Sequence, residues 1–179
     1  YDKEKIIYKK NNKLIYINEK ISDLESKKVE KEEALKISNE FLSQKGFALD
    51  DMKNIYTKQI NNKCEVYYSK VFKDRFVEEA YTKVVVSSQG VEYLERVWLN
   101  VLKEGELPIH MESAPKAILE LLGNPKAYNR TILSIDLCYF FDLEEDSSLS
   151  ENINVKRGKA MPTWRVLLDD GTIIVLDNN

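Results

Sequence analysis

The sequence predicts an α+β fold with two helix-backed antiparallel β-sheet units in tandem, preceded by a β-hairpin. Between residues 63 and 103, three runs rich in β-branched and aromatic residues are separated by short polar or glycine-bearing breaks, a pattern typical of an antiparallel meander. An apolar stripe with helical spacing precedes these runs over residues 31–45. The same order of a helix followed by strands begins again at residue 113, which indicates an α+β arrangement.

The N-terminal stretch predicts a β-hairpin followed by a connector. Residues 5–10 and 13–18 are strand-like runs that contain several β-branched residues. Asn11 and Asn12 lie between them, and asparagine tolerates the positive φ angles of a tight hairpin turn. Residues 21–30 are polar and are expected to connect the hairpin to the first helix.

The first predicted helix covers residues 31–45 and is expected to cover one face of the meander. Its apolar residues recur at helical spacing, and Gly46 stands where the helix should end. These apolar residues are Ala34, Leu35, Ile37, Phe41 and Leu42. A weak strand is predicted over residues 51–60, and Asn61 and Asn62 form a turn that leads into the meander.

The second predicted helix begins at Ser113, a good N-cap residue, and has Pro115 in its first turn. Gly123 is expected to end this helix, and Pro125 lies just beyond it. The apolar stripe of the helix consists of Ile118, Leu119, Leu121 and Leu122. This stripe predicts a second helix that covers a second set of strands.

Three strands are predicted after the second helix. Residues 131–143 form a long strand, whereas residues 144–158 are acidic, rich in serine and asparagine, and expected to form a mobile loop. The chain then continues with two strands, 163–168 and 172–177, which are joined by residues 169–171. The Asp-Gly pair in this connection is a strong signal for a hairpin.

These elements divide the chain into three segments. Residues 1–29 hold the hairpin and the connector, residues 30–106 the first helix-plus-sheet unit and residues 107–179 the second unit. A length of 179 residues is enough for one domain with a substantial core or for two small ones. Sequence identity between the two units is slight, so the predicted repeat is one of architecture.

Composition indicates an ordinary globular protein with no affinity for nucleic acid. Hydrophobic residues make up 43% and charged residues 32%, and the net charge of −3 provides no basic surface. No apolar run approaches the roughly 18 to 20 residues that cross a bilayer. Because the chain begins at Tyr1 rather than Met, we expect an upstream segment such as a signal peptide, a membrane anchor or a tag.

Residues that could support catalysis or bind a metal are scarce. His110 is the single histidine, and with the distant Cys64 and Cys138 it cannot assemble a zinc cluster. We expect a solvated or packing role for His110 and buried free thiols at both cysteines. Gly-x-Ser-x-Gly, Gly-x-Gly-x-x-Gly and P-loop motifs are absent. The sequence therefore predicts no catalytic, cofactor-binding or metal site.

Clustered carboxylates are the remaining candidates for a cation site. The clusters are Glu78–Glu79, Glu144–Glu145–Asp146 and Asp169–Asp170. None has the spacing of a calcium loop, and the last is better explained as a turn. A hydrolase that uses two of the thirty acidic residues stays open as a further functional class.

Aromatic residues give the compositional signal for a partner-binding surface. They are Tyr67, Tyr68, Phe72, Phe76, Tyr81, Tyr93 and Trp98 in the meander, and Tyr139, Phe140, Phe141 and Trp164 in the second unit. Strand alternation places about half of them toward a helix, as core. The others are expected on the opposite face, where aromatic residues are typical of protein-binding surfaces. Alternation alone does not identify which residues meet a partner.

Two motifs resemble a known family. The run Lys31-Glu-Glu-Ala-Leu-Lys-Ile37, on a helix that leads into strands, resembles units of the PepSY and YpmB type. The run from Met161 through Pro162, Trp164 and Arg165 to the Asp-Asp-Gly turn is similar to the ending of the same units. Two such units after a strand pair resemble the extracytoplasmic region of the YycI regulatory proteins, relatives of YycH.

This resemblance implies a non-enzymatic regulator at the cell membrane. YycI-like proteins have one N-terminal membrane helix and a folded extracytoplasmic part, which acts with YycH on the sensor histidine kinase of a cell-wall two-component system. The expected partners are therefore a sensor kinase, a YycH-like protein and the membrane, with a homo- or heterodimer left open. The alternative is a secreted PepSY-like ligand-binding or peptidase-inhibitory module. No cofactor is implied.

Overall fold

The computed structural model describes residues 3–10, 12–22, 27–105, 111–142 and 159–176. Within these residues the fold is α+β and mostly β-sheet. The strands are β1 (Glu4–Lys9), β2 (Lys13–Asn18), β3 (Met52–Ile60), β4 (Lys63–Phe72), β5 (Arg75–Ser87), β6 (Gly90–Val97), β7 (Ile132–Asp142), β8 (Lys159–Leu168) and β9 (Ile173–Leu176). The helices are α1 (Glu19–Ser22), α2 (Lys31–Gln44) and α3 (Ala114–Leu119), and 3-10 turns follow at Glu120–Gly123 and Pro125–Ala127.

All of these strands belong to one mixed sheet. The main order is β1-β2-β6-β5-β7-β8-β9, and β4 pairs with both β3 and β5. The expectation of antiparallel pairing is wrong at one place, because β5 and β7 run parallel where Phe76 and Val77 lie beside Cys138 and Tyr139. β5 has 13 residues, and Glu79 has a positive φ of 65° within it. The early part of β5 therefore pairs with β7, while its later part pairs with β6.

The predicted N-terminal hairpin is present. β1 and β2 are antiparallel, with Glu4 opposite Asn18 and Lys9 opposite Lys13. Asn12 has a φ of 56°, as a tight turn requires. The sequence did not predict that β2 also pairs with β6, which makes the hairpin an extension of the main sheet. The predicted connector begins with the short helix α1 instead of an irregular segment.

Helix α2 covers one face of the first part of the sheet. It packs on β3, β4, β5 and β6, and Gly46 follows it with a φ of 80°, as predicted for a helix end. Ala34 and Leu42 are fully buried, whereas Leu35, Ile37 and Phe41 are partly buried beside them. The buried core under α2 consists of Tyr16, Val29, Ala34, Leu42, Cys64, Val66, Tyr68, Val84, Val86, Val91 and Leu94.

The second helix is shorter than predicted. Helix α3 ends at Leu119 and continues as a 3-10 turn, so the stripe loses its 3.6-residue period. Leu121 is buried, but Leu119 and Leu122 are 62% and 75% exposed. Ser113 occupies the N-cap position without a side-chain capping hydrogen bond. The core beneath α3 consists of Ala117, Leu121, Val166, Leu168, Ile174 and Leu176.

The C-terminal strands agree with the predicted hairpin. β8 and β9 are antiparallel, and Gly171 in the turn between them has a φ of 87°. β8 begins at Lys159, earlier than predicted, because it pairs along the whole of β7 as far as Asp142. The predicted loop over residues 144–158 and His110 lie outside the described residues. None of the described helices is both long enough and apolar enough to cross a membrane.

Candidate protein-binding face of the sheet

Strand alternation separates two neighbouring tyrosines onto opposite faces of the sheet. Tyr68 lies in the core beneath α2, and its hydroxyl donates to Asn39 Oδ1 at 2.8 Å. Tyr67 points to the other face, where Lys83 lies opposite it on β5 and Glu95 lies opposite Lys83 on β6. We call this other surface the tyrosine face. Its residues are Tyr67, Tyr81 and Tyr93 with the charged residues Lys13, Glu65, Lys83 and Glu95.

Glu95 is the centre of a hydrogen-bond network on the tyrosine face. Its Oε2 accepts from the Tyr93 hydroxyl at 2.8 Å, and its Oε1 accepts from Lys13 Nζ at 2.9 Å and from the Tyr81 hydroxyl. Burial by itself raises the pKa of Glu95, but the hydrogen bonds from Tyr81, Lys13 and Tyr93 outweigh it and lower the pKa to about 2. Glu95 is therefore ionised at neutral pH and holds three side chains in place.

The three tyrosines form a row that leads from the surface into the molecule. Burial, followed by the charge and hydrogen bond of Glu95, raises the pKa of Tyr93 to about 12. The rings of Tyr81 and Tyr67 are stacked, with centroids 5.4 Å apart and an interplanar angle of 12°. Burial raises the pKa of Tyr67 well above its ordinary value, and Glu78 adds to the increase. Burial, followed by the hydrogen bond to Glu95, also raises the pKa of Tyr81 well above its ordinary value, so all three phenols are neutral at physiological pH.

A buried ion pair lies at the inner end of this row and joins β5 to β8. Arg165 Nη1 donates to Glu78 Oε1 at 2.8 Å, and the guanidinium carbon lies 4.0 Å from the Phe76 ring centroid. Arg165 is only 1% exposed, and its Nε and Nη2 have no hydrogen-bond partner among the described residues. Burial raises the pKa of Glu78, against the lowering effect of Arg165. This pair is a structural junction in which Arg165 is buried and the Glu78 side chain is only 12% exposed.

The cysteines and the Asp169–Asp170 pair have structural surroundings within the described residues. Cys64 and Cys138 are buried free thiols, as predicted, and burial raises the pKa of Cys138 to about 12, which suppresses the nucleophilic thiolate. Asp170 pairs with Arg130 at 3.2 Å and accepts from Thr172 N at 3.0 Å, as a turn residue does. Within the described ranges no group of three His, Cys, Asp or Glu residues could hold a metal ion. Residues 144–146 lie outside those ranges.

Four of the other predicted aromatics, Trp98, Trp164, Phe72 and Tyr139, contact residues outside the tyrosine face. The Arg96 guanidinium carbon lies 3.6 Å from the Trp98 ring, and Trp164 packs against the core beneath α3 and donates from Nε1 to Glu112 O at 2.9 Å. Phe72 and Tyr139 pack together, with ring centroids 6.1 Å apart. No local sequence pattern predicted Lys13 as part of the face. The alternating Tyr-x-Glu of β6 was a local signal for Glu95, but Lys13 joins it only through the pairing of β2 with β6.

One solved structure resembles the whole of this fold. The Bacillus megaterium YpeB C-terminal domain superposes with a TM-score of 0.56 at 11% sequence identity, and the match covers 98% of this chain and 83% of that domain. At this identity the likeness concerns the fold, and it is consistent with the PepSY-like architecture implied by the two motifs. No protein-family model matches the sequence, and no curated protein matches it.

Proposed function

We propose that this chain is the extracytoplasmic part of a membrane-tethered, non-enzymatic regulator of the YycI type. In this proposal it modulates the sensor histidine kinase of a cell-wall two-component system through protein contacts, together with a YycH-like partner. Residues 30–106 and 107–179 would be its two PepSY/YpmB-like units. The two sequence motifs and the YpeB-like fold support this proposal.

The observation that carries the proposal is the tyrosine face. Tyrosine is enriched in protein interfaces because it provides a large contact area with a polar end and loses little conformational entropy. Here the hydroxyls of Tyr81 and Tyr93 are already fixed by Glu95. A partner would therefore meet an ordered surface, which lowers the entropic cost of binding.

The proposed mechanism is a coupling between this face and the membrane helices. Docking of the kinase or of the YycH-like partner on the sheet would fix the position of the tethering helix against the helices of the kinase. A change in that packing would alter kinase output. Allosteric couplings of this kind are typically about 1–3 kcal/mol, which corresponds to roughly 5- to 150-fold in an equilibrium constant.

A reconstitution experiment tests the proposal. The full-length protein and the kinase are placed in liposomes, and kinase autophosphorylation is measured with and without the regulator. Tyr93→Ser should remove most of the regulator's effect, because it deletes the outermost ring of the tyrosine face and one of the hydrogen bonds that order Glu95. Tyr128→Ser is the matched control, since Tyr128 is an exposed tyrosine in the second part of the chain.

Two outcomes would contradict the proposal. One is a kinase rate that does not respond to the wild-type protein at all, and the other is an equal loss of effect in the Tyr93 and Tyr128 variants. The gene sequence upstream of Tyr1 offers a second check. A single apolar run of about 20 residues with basic residues on its cytoplasmic side would support the tether.

A secreted ligand-binding or peptidase-inhibitory module of the PepSY type is the second candidate. One observation favours it: a groove of about 330 Å³ lies between the N-terminal hairpin and α2, within the size range of ligand sites. A cleavable signal peptide upstream, in place of a membrane helix, would favour this function over kinase regulation.

A further inference from the structure

The groove beside α2 is open because the helix does not cover the edge of the sheet. Ile6 lies opposite Tyr16 and Tyr8 opposite Leu14 in the hairpin, so these side chains share the face on which α2 packs. Tyr16 is buried near the helix, whereas Ile6 and Tyr8 are 61% and 78% exposed. The groove lies between the hairpin and α2, and its lining residues include Glu4, Tyr16, Ile37, Glu40, Phe41 and Lys45.

The groove already holds a positive charge that belongs to the chain itself. Lys45 Nζ lies 5.5 Å from the ring centroids of both Tyr16 and Phe41, and these two rings are 5.1 Å apart. The same ammonium group lies 3.4 Å from Glu4 Oε2. An ammonium over aromatic faces beside a carboxylate is a favourable arrangement for a cation. The geometry of the groove is therefore that of a cation site occupied by an internal lysine.

The charged side chains and the ordered aromatic side chains of the groove both favour a cation as the ligand. The charged side chains that line it are two carboxylates, those of Glu4 and Glu40, and one ammonium, that of Lys45, and Glu40 also lies 4.0 Å from Lys36 outside the lining. Glu4 is close enough to Tyr16 to contribute to its raised pKa, after the larger effect of burial. Asn18 orders the floor, since its Nδ2 donates to the Tyr16 hydroxyl at 3.2 Å and its Oδ1 accepts from Ile21 N at 3.3 Å.

We propose that this groove binds a lysine or arginine side chain from an extended segment of a partner protein, which takes the place of Lys45. Lys45 follows the last residue of α2, and its side chain is 44% exposed, so it can swing into solvent. The incoming cation would then contact Tyr16, Phe41 and Glu4. Apolar residues beside it in the partner would cover Ile6. The site lies on the face of the sheet opposite to the tyrosine face and does not depend on it.

Titration of the ¹⁵N-labelled protein with a defined peptide tests this inference. The probe is an acetylated and amidated heptapeptide of alternating valine and lysine, and the reference peptide has glutamate in place of lysine. The lysine peptide should shift the amide signals of groove residues such as Phe41 and Gly90. Lys45→Met should tighten its binding by about threefold to fivefold, because the competing internal cation is gone. Glu4→Gln and Phe41→Leu should weaken it.

Lys73→Met is the matched control. Lys73 Nζ also lies over an aromatic ring, 5.7 Å from the Phe72 centroid, and pairs with Glu104 at 2.5 Å, but it lies outside the groove. This variant should bind the lysine peptide as the wild type does. The inference is overturned if the glutamate peptide binds equally well, if the shifts map outside the groove, or if Lys45→Met binds no more tightly than Lys73→Met. Unchanged binding in Tyr93→Ser would show that the site is independent of the tyrosine face.

Discussion

The two helix-covered regions of this sheet differ in the size of the buried apolar core that stabilises each of them. In the first region, the 14-residue helix α2 covers the face of β3–β6, and the described residues there include a contiguous core of eleven buried side chains. In the second region, the 6-residue helix α3 and a 3-10 turn cover β7–β9, with six buried core residues among those that the structure describes. Because burial of apolar surface is the main favourable term in folding, the smaller core contributes less stability of its own.

Contacts with the first region give the second region additional stability. β7 pairs with β5, Arg165 pairs with Glu78, and the Tyr56 hydroxyl on β3 donates to Asp170 O at 2.8 Å in the turn between β8 and β9. The hairpin of β8 and β9 is therefore attached at both its middle and its end. A small core can therefore be stabilised by a neighbouring region through a few buried contacts, and loss of these contacts should destabilise the second region first.

The largest expected effect comes from breaking the buried ion pair. Arg165→Met leaves the Glu78 carboxylate buried without its partner, so we expect the free energy of unfolding in urea to fall by about 3 kcal/mol. Hydrogen exchange should separate the two regions. Amides in β8 and β9 should lose more protection than amides in β4, because the pair attaches the second region to the first.

A double variant provides the control for this experiment. In Glu78→Met/Arg165→Met neither charge remains, and methionine fills much of the vacated volume. We expect its stability to return to within about 1 kcal/mol of the wild type, because replacing both members of a buried ion pair by apolar residues of similar volume costs little stability. A double variant that is as unstable as Arg165→Met would show that packing, and not the unpaired carboxylate, caused the loss.

The second effect concerns the turn between β8 and β9, which contacts Tyr56 on β3. Gly171 has a φ of 87°, and a Cβ at this position would overlap the ring of Tyr56. Gly171→Ala should therefore destabilise the protein by about 2–3 kcal/mol, in part from backbone strain and in part from displacement of the ring. In a Tyr56→Ala background the same change should cost only about 1 kcal/mol, the strain alone. Urea unfolding of the four proteins measures this difference, and equal costs in both backgrounds would refute the contact.

The elements that the sequence predicted correctly depend on neighbours in the chain. The asparagine turn at Asn12, the end of α2 at Gly46 and the Asp-Gly turn at Gly171 all have the positive φ angles that their residue types favour. The pairing of β2 with β6 and of β5 with β7 joins segments far apart in sequence. Such pairing is set by long-range packing, which leaves no local pattern. The sequence predicted a protein-binding face lined by aromatic residues, but Lys13 joins that face only through the pairing of β2 with β6.

A smaller effect should appear in the pH dependence of stability, with opposite signs at two carboxyls. Glu95 has a folded-state pKa of about 2, below its ordinary value of 4.5. The unfolded chain therefore binds more protons between these values, and stability should decrease as pH falls from about 4.5 to about 2. Glu78 has a raised pKa in the folded protein. The contribution of Glu78 to the free energy of unfolding should decrease as pH rises above 4.5, because in that range the folded protein binds more protons at this carboxyl than the unfolded chain does.

Urea unfolding of Glu95→Gln and Glu78→Gln at several pH values separates the two contributions. In Glu95→Gln the loss of stability below pH 4.5 should shrink by about 2 kcal/mol, allowing for screening by solvent at the surface. In Glu78→Gln the decrease above pH 4.5 should shrink instead. The same pH profile in both variants and in the wild type would show that neither carboxyl is perturbed as its surroundings indicate.

The smallest expected effect concerns helix α3 and the 3-10 turn that follows it, where two adjacent leucines differ in burial. Leu121 and Leu122 are adjacent in the stripe that the sequence predicted to be core, but the structure buries Leu121 and leaves Leu122 75% exposed. Leu122→Ser should therefore change the free energy of unfolding by less than about 0.5 kcal/mol, whereas Leu121→Ala should destabilise the protein by about 2 kcal/mol or more. Equal and large losses in both variants would mean that α3 continues as a regular helix with both leucines against β8 and β9. In that case the core beneath α3 would include Leu122, and the stability of the second region would depend less on its contacts with the first region.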